Sequence, residues 1–280
     1  MLHIRASGPR SDADRGTVVF IHGFPFDGSM WEPQLDALPE GWRGLAPDLR
    51  GFGQSPMDDG TGDAPSGKRV GNGIAHADEP VLTMACLADD IAALIEEECD
   101  GPAVVCGLSM GGYVALELHR RHPDRLRGLV LADTRATADS DEARENRLRM
   151  AQTVRSSGTR PIASAMIPEL LADSTRVARP ELVDTVRSMI LGTPPETVVA
   201  ALAGMASRHD STGELPGIDV PTLVVVGEHD AITPPDYARK MADGIPDATL
   251  AVIDGAGHLS GLENPGAFDL ALREYLEGLD

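Results

Sequence analysis

Lysine is nearly missing from this chain: of its 24 basic residues, only Lys68 and Lys240 are lysines. Positive charge as a whole is short, because 44 Asp and Glu leave a formal net charge of -20 and a pI near 4.7. That deficit excludes a surface built to grip a nucleic-acid backbone or an anionic membrane, both of which demand clustered Lys and Arg. It also opposes close approach of polyanionic substrates unless a local basic pocket overrides the mean field. A surface this acidic suits high salt, where counter-ions screen the mutual repulsion of carboxylates, and a biased codon pool gives the same composition. Cysteine is scarce too. Cys86, Cys99 and Cys106 are an odd number without motif spacing, so neither a disulfide framework nor a metal site is expected. Cys106 lies in an apolar run and reads as a core residue. No stretch approaches the roughly 18 apolar residues of a membrane span. The opening Met1-Leu2-His3-Ile4-Arg5-Ala6 has none of the regions that make a signal peptide. The expected setting is the cytoplasm.

What is present is a chain of 280 residues, 42% hydrophobic, long enough to bury a large core as one α/β domain. Short, near-continuous apolar runs recur at 17–21 (TVVFI), 44–47, 103–108 (AVVCGL), 126–132 (LRGLVLA), 222–226 (TLVVV) and 249–253 (TLAVI). Such runs are expected of parallel strands covered on both faces. Helical spacing lies between them at 82–98, 110–122, 234–245 and 266–278. Strand and helix in alternation predict an α/β, doubly wound, mostly parallel sheet. Two segments break the rhythm. Residues 56–80 are rich in Gly and Asp and predict a long surface loop. Residues 135–215 hold helical patterns without a strand and predict a helical cap, leaving 1–134 and 216–280 as the core. A cap there sits over the carboxyl ends of the strands, where open α/β sheets bind ligands. Met150, Met166, Met189 and Met205 fall inside it, either as filling between cap and sheet or as an adaptable apolar pocket wall.

The chemistry centres on Gly107-Leu108-Ser109-Met110-Gly111, a G-x-S-x-G match with Gly112 next to it. By itself the pattern is common. Here a buried strand runs into it and a helical pattern (YVALELHRR) runs out, which is the context a nucleophile elbow requires. A serine hydroxyl is a weak nucleophile until a positioned base takes its proton. Among eight histidines, His258 follows TLAVI and a small-residue loop, at a strand's carboxyl end. His119, His122 and His209 read as surface residues, His22 as a brace for its own loop, and His229 adjoins the acid. That acid is Asp230, which ends TLVVVGEHD and would hold the tautomer of His258. Asp133, after LRGLVLA, is the rival, with a structural role in the first turn of the cap as its other reading. The order Ser109, Asp230, His258 is the one this strand–turn–helix elbow predicts. An oxyanion hole needs two donors: the N–H of Met110 and, because Pro25 has none, that of Phe24.

In order along the chain, HGFPFDGSMW (22–31), PDLRGFGQS (47–55), GLSMGGYVAL (107–116), GEHD (227–230) and GAGH (255–258) resemble the α/β-hydrolase superfamily. The likeness is to its small carboxylesterases and 3-oxoadipate enol-lactonase-like hydrolases. It implies a cap inserted after the sixth strand, a triad of Ser109, Asp230 and His258, and oxyanion donors at Phe24 and Met110. Two features depart from the pattern: the loop at 56–80, and a short N-terminus with little room for a leading strand. Serine at 109 sets the chain apart from haloalkane dehalogenases and epoxide hydrolases, whose elbow carries aspartate. Carbon–carbon bond hydrolases, cofactor-free perhydrolases and hydroxynitrile lyases keep the serine and stay open, as does a binding module without turnover. The expected activity is cofactor-independent, metal-free hydrolysis of a small carboxylic ester or lactone through an acyl-enzyme.

Overall fold

A computed structural model describes residues 1–8, 11, 15–57 and 79–279. Most of the loop read at 56–80 therefore lies outside the described residues. The sheet has seven strands, β1 (Ile4–Ser7), β2 (Gly16–Ile21), β3 (Trp42–Pro47), β4 (Ala103–Leu108), β5 (Leu126–Ala132), β6 (Thr222–Gly227) and β7 (Ala248–Ile253). Their order is β1-β3-β2-β4-β5-β6-β7. Among the described residues β1 alone runs antiparallel, pairing Ile4 with Pro47 through Ser7 with Gly44.

Two expectations change here. The N-terminus does supply a leading strand. Four residues suffice because an edge strand needs a partner on one side only, and buried Asp48 anchors this one. Its carboxylate accepts from Arg5 Nη1 at 2.6 Å and lies 3.0 Å from His3 Nδ1. The helical insertion follows the fifth strand rather than the sixth, because the chain enters the parallel part of the sheet after a single antiparallel strand.

Covering of both faces explains the uniformly apolar strands. Successive side chains alternate between two cores: Val19, Ile21, Val105 and Val224 face one, while Val18, Phe20, Val104 and Val225 face the other. Helices α1 (Glu32–Ala37), α2 (Met84–Glu98) and α3 (Met110–Arg121) belong to the first half of the chain. In α2, Thr83 caps the start by accepting from the N–H of Cys86. Its buried Leu87, Ala88, Ile91, Leu94 and Ile95 recur at helical spacing and form one apolar stripe. Truncating fully buried Ile91 to Ala should cost about 2–5 kcal/mol.

The insertion consists of α4 (Asp141–Ser157), α5 (Arg160–Leu170), α6 (Asp173–Ala178), α7 (Pro180–Gly192) and α8 (Pro195–Ala206). Met205 is buried, and Met150, Met166 and Met189 are partly buried and packed against the cores. Charge ties the insertion down as well. Fully buried Asp139 accepts from Arg135 at 2.9 Å, Arg147 at 2.5 Å and Arg208 at 2.6 Å. Burial alone would push its carboxyl up, but Arg147 and Arg208 hold it down at about 2. The chain then closes with α9 (Pro235–Gly244), α10 (Ser260–Glu263) and α11 (Pro265–Glu277). No single helix among the described residues is long and apolar enough to cross a membrane.

Candidate active site

Ser109, Asp133, Asp230 and His258 follow the carboxyl ends of β4, β5, β6 and β7, so the topology alone gathers them at one edge of the sheet. At the β4 turn Ser109 has φ 55° and ψ -111°, a conformation side chains rarely adopt, which holds on the order of 1–3 kcal/mol of strain. The turn survives because its neighbours over-determine it. The N–H of Ser109 donates to Ala132 O at 3.0 Å, and its own C=O accepts from Gly112 N and Tyr113 N. A Cβ at Gly111 would stand 2.2 Å from Ile21 O, so only glycine lets α3 start this close to β2.

His258 is buried, with Nε2 2.9 Å from Ser109 Oγ and Nδ1 2.8 Å from Asp230 Oδ2. The carboxylate is fixed in turn: Oδ1 accepts from the N–H groups of Ile232 and Thr233 at 2.8 Å, and Oδ2 accepts from Thr233 Oγ1 at 2.7 Å. Burial raises the Asp230 carboxyl, but His258 and the Thr233 donors outweigh burial and hold it below its usual value. For His258, burial lowers the imidazole, but the facing Asp230 outweighs burial and leaves it above its usual value.

Asp133 does something different from either role considered in the sequence. It does not tie down the first turn of the insertion. Its Oδ1 accepts from Gly227 N at 2.8 Å and its Oδ2 from Ser260 Oγ at 2.5 Å, so it cross-braces the ends of β5 and β6 to the segment after His258. Full burial, followed by the charge of Asp230, pushes this carboxyl up to about 8. Two carboxyls in one site are thus driven apart, one ionised and one protonated near neutrality.

The loop after β2 lies directly against the serine: a Cβ at Gly23 would fall 3.5 Å from Ser109 Cβ. His22 acts as the brace read from the sequence. Its Nε2 accepts from Leu49 N at 3.0 Å, which leaves Nδ1 to donate to Gly23 O at 2.9 Å. Burial keeps this ring neutral by lowering its pKa. Gly23 O also accepts from Phe26 N, so the peptide that leads into Phe24 is fixed. Met110 begins α3, where the first N–H groups of a helix have no partner within it. Ser109, His258 and Asp230 are therefore one connected group, with Phe24 and Met110 on the two backbones that flank the serine. His229 stands apart, more than half exposed and 3.6 Å from Glu228.

Sequence reasoning missed Thr233 and Ser260. Thr233 carries a readable signal, since a threonine three residues after an aspartate at a strand end closes a local turn. Ser260 has none, because its partner Asp133 is 127 residues away. Among the described residues no group of three His, Cys, Asp or Glu could hold a metal ion.

Comparison with known proteins fits this geometry. A family model described as alpha/beta hydrolase fold matches residues 16–265. A thermophilic esterase from Thermogutta terrifontis, solved with malate bound, has a TM-score of 0.87 and 42% identity, over 99% of this chain and 93% of that one. The enol-lactonase from Burkholderia xenovorans LB400 has a TM-score of 0.84 and 29% identity, over 99% of this chain and 96% of that one. A pimeloyl-[acyl-carrier protein] methyl ester esterase of Neisseria meningitidis is 32% identical, with 93% of each chain covered.

Proposed function

This chain belongs to the α/β-hydrolase family, and on that premise we propose that it hydrolyses a small carboxylic ester or lactone through an acyl-enzyme on Ser109. One observation carries the reading: Ser109 Oγ, His258 and Asp230 stand in a single hydrogen-bonded line, at 2.9 and 2.8 Å. Similarity to an esterase and an enol-lactonase supports the substrate class.

In this reading Ser109 Oγ attacks the acyl carbon while His258 Nε2 takes its proton. The N–H groups of Phe24 and Met110 receive the oxyanion of the tetrahedral intermediate, a contribution worth roughly 10²–10³-fold per donor. His258 then delivers the proton to the departing alkoxide, which for a lactone stays attached through the acyl chain. Water, deprotonated by the same nitrogen, attacks the acyl-enzyme, and collapse frees the acid while His258 returns the proton to Ser109 Oγ. Asp230 stabilises the imidazolium that forms in both half-reactions. Residues 1–134 and 216–280 carry this machinery, and 135–215 form the cap over it. A panel of esters of graded acyl length, run beside lactones of graded ring size, tests the assignment. Turnover of at least one class by the wild type and none by Ser109→Ala is the expected result, whereas equal turnover by both proteins contradicts it.

A further inference from the structure

The backbone on either side of His258 is tied to the helical insertion by one side chain. Glu263, at the end of α10, accepts the N–H of Gly257 at 2.9 Å and of Leu259 at 3.3 Å on Oε1. Its Oε2 accepts the N–H of Ala172 at 2.9 Å, in the turn between α5 and α6. Further contacts run along the same seam. His258 N donates to Leu170 O at 3.0 Å, and Arg179 Nη1 donates to Leu262 O at 2.9 Å. A Cβ on Gly257 would fall 2.7 Å from Ala172 N, so the two backbones are in direct contact.

The other members of the triad are held by their own local turns, Ser109 by its elbow and Asp230 by the Ile232–Thr233 turn. His258 instead lies five residues beyond β7, in a loop that borrows its support. Hydrogen bonds to a carboxylate are roughly twice as strong as neutral ones, so one ionised side chain on three amides is an effective clamp. We propose that Glu263 is a positioning residue for His258, locking the base's loop to the α5–α6 turn so that Nε2 stays on Ser109 Oγ. This rests on the reading of Ser109, His258 and Asp230 as a triad. The insertion then belongs to the catalytic geometry as well as covering it. Besides Asp230 and Asp133, Glu263 is the carboxylate whose charge raises the His258 pKa, while Arg179 is the cation bonded to the backbone of Glu263.

Glu263→Gln tests this, because it keeps the size while losing the charge and one acceptor oxygen. A displaced base acts on the transition state, so kcat should fall about 10-fold or more with KM changed less than about twofold. The acid limb of kcat/KM should move to lower pH. Glu263→Asp keeps the charge but withdraws the carboxylate, and should lose kcat with the limb nearly in place. A lower melting temperature with wild-type kcat in both variants would reduce Glu263 to a brace and overturn the proposal. If the glutamine variant fails to fold, kcat of the aspartate variant decides alone. Ser109→Ala, measured alongside, keeps the two claims apart. Activity in that variant removes the triad reading itself, whereas an inactive Ser109→Ala beside fully active Glu263 variants removes only the role of Glu263.

Discussion

Asp133 and Ser260 meet in the interior through a 2.5 Å hydrogen bond, which sets this acid apart from Asp230, the acid proposed to serve His258. With its other oxygen on Gly227 N, Asp133 has both oxygens engaged by the protein's own scaffold. Asp230 faces Nδ1 of the imidazole directly. Asp230→Asn should therefore lower kcat by roughly 10⁴-fold, by favouring the wrong tautomer of His258. Asp133→Asn should lower it by less than about 10-fold, because its hydrogen bonds go to Gly227 and Ser260 rather than to the imidazole. Steady-state kinetics of the two variants check this, and the reverse ranking would move the orienting role to Asp133.

The same acid shapes stability against pH. A carboxyl raised to about 8 in the folded state binds a proton that the unfolded chain, near its ordinary value of 3.8, has already released. Its contribution is complete at acid pH and is lost as pH climbs towards 8. Asp133→Asn removes that titration. Denaturant melts between about pH 5 and 8 should show the variant gaining on the wild type as pH rises. A gap independent of pH would contradict the protonated state.

As the proposed base, His258 sets the acid limb of activity. It must be neutral to take the serine proton, and Asp230 holds its pKa above 6.5 against the effect of burial. kcat/KM should fall with decreasing pH through a midpoint above about 6.5. A midpoint in the usual carboxylate range would point to a different base.

Gly111→Ala probes the elbow. The new Cβ would lie 2.2 Å from Ile21 O, and both atoms belong to rigid elements. Stability should drop by about 1–3 kcal/mol or more, and a serine displaced by even about 1 Å should lose on the order of 10²-fold in kcat. Near-normal activity would mean that α3 can shift without moving Ser109.

Asp139→Asn would leave Arg135, Arg147 and Arg208 packed together without their shared counter-charge. Removing one partner from a buried ionic group destabilises by about 3–5 kcal/mol. Chemical denaturation should report a loss of that order. A change under about 1 kcal/mol would show that solvent already screens the cluster.

Much of this was legible in local sequence. The strand-to-helix context around Ser109, and the positions of Asp230 and His258 just past apolar runs, are short-range signals. β1 was not legible, because Ile4–Ser7 becomes a strand through Asp48, some forty residues on, which gathers His3 and Arg5. Asp139 looked like any acid in an acidic chain until three arginines converged on it. Glu263 was hidden because its partners are backbone N–H groups, which leave no residue-type signature.

The most direct measurement of the central claim is mass spectrometry after exposure to a fluorophosphonate. One adduct per chain is expected, mapped to Ser109, absent in Ser109→Ala and formed far more slowly in His258→Ala. No adduct, or one on another residue, would contradict it.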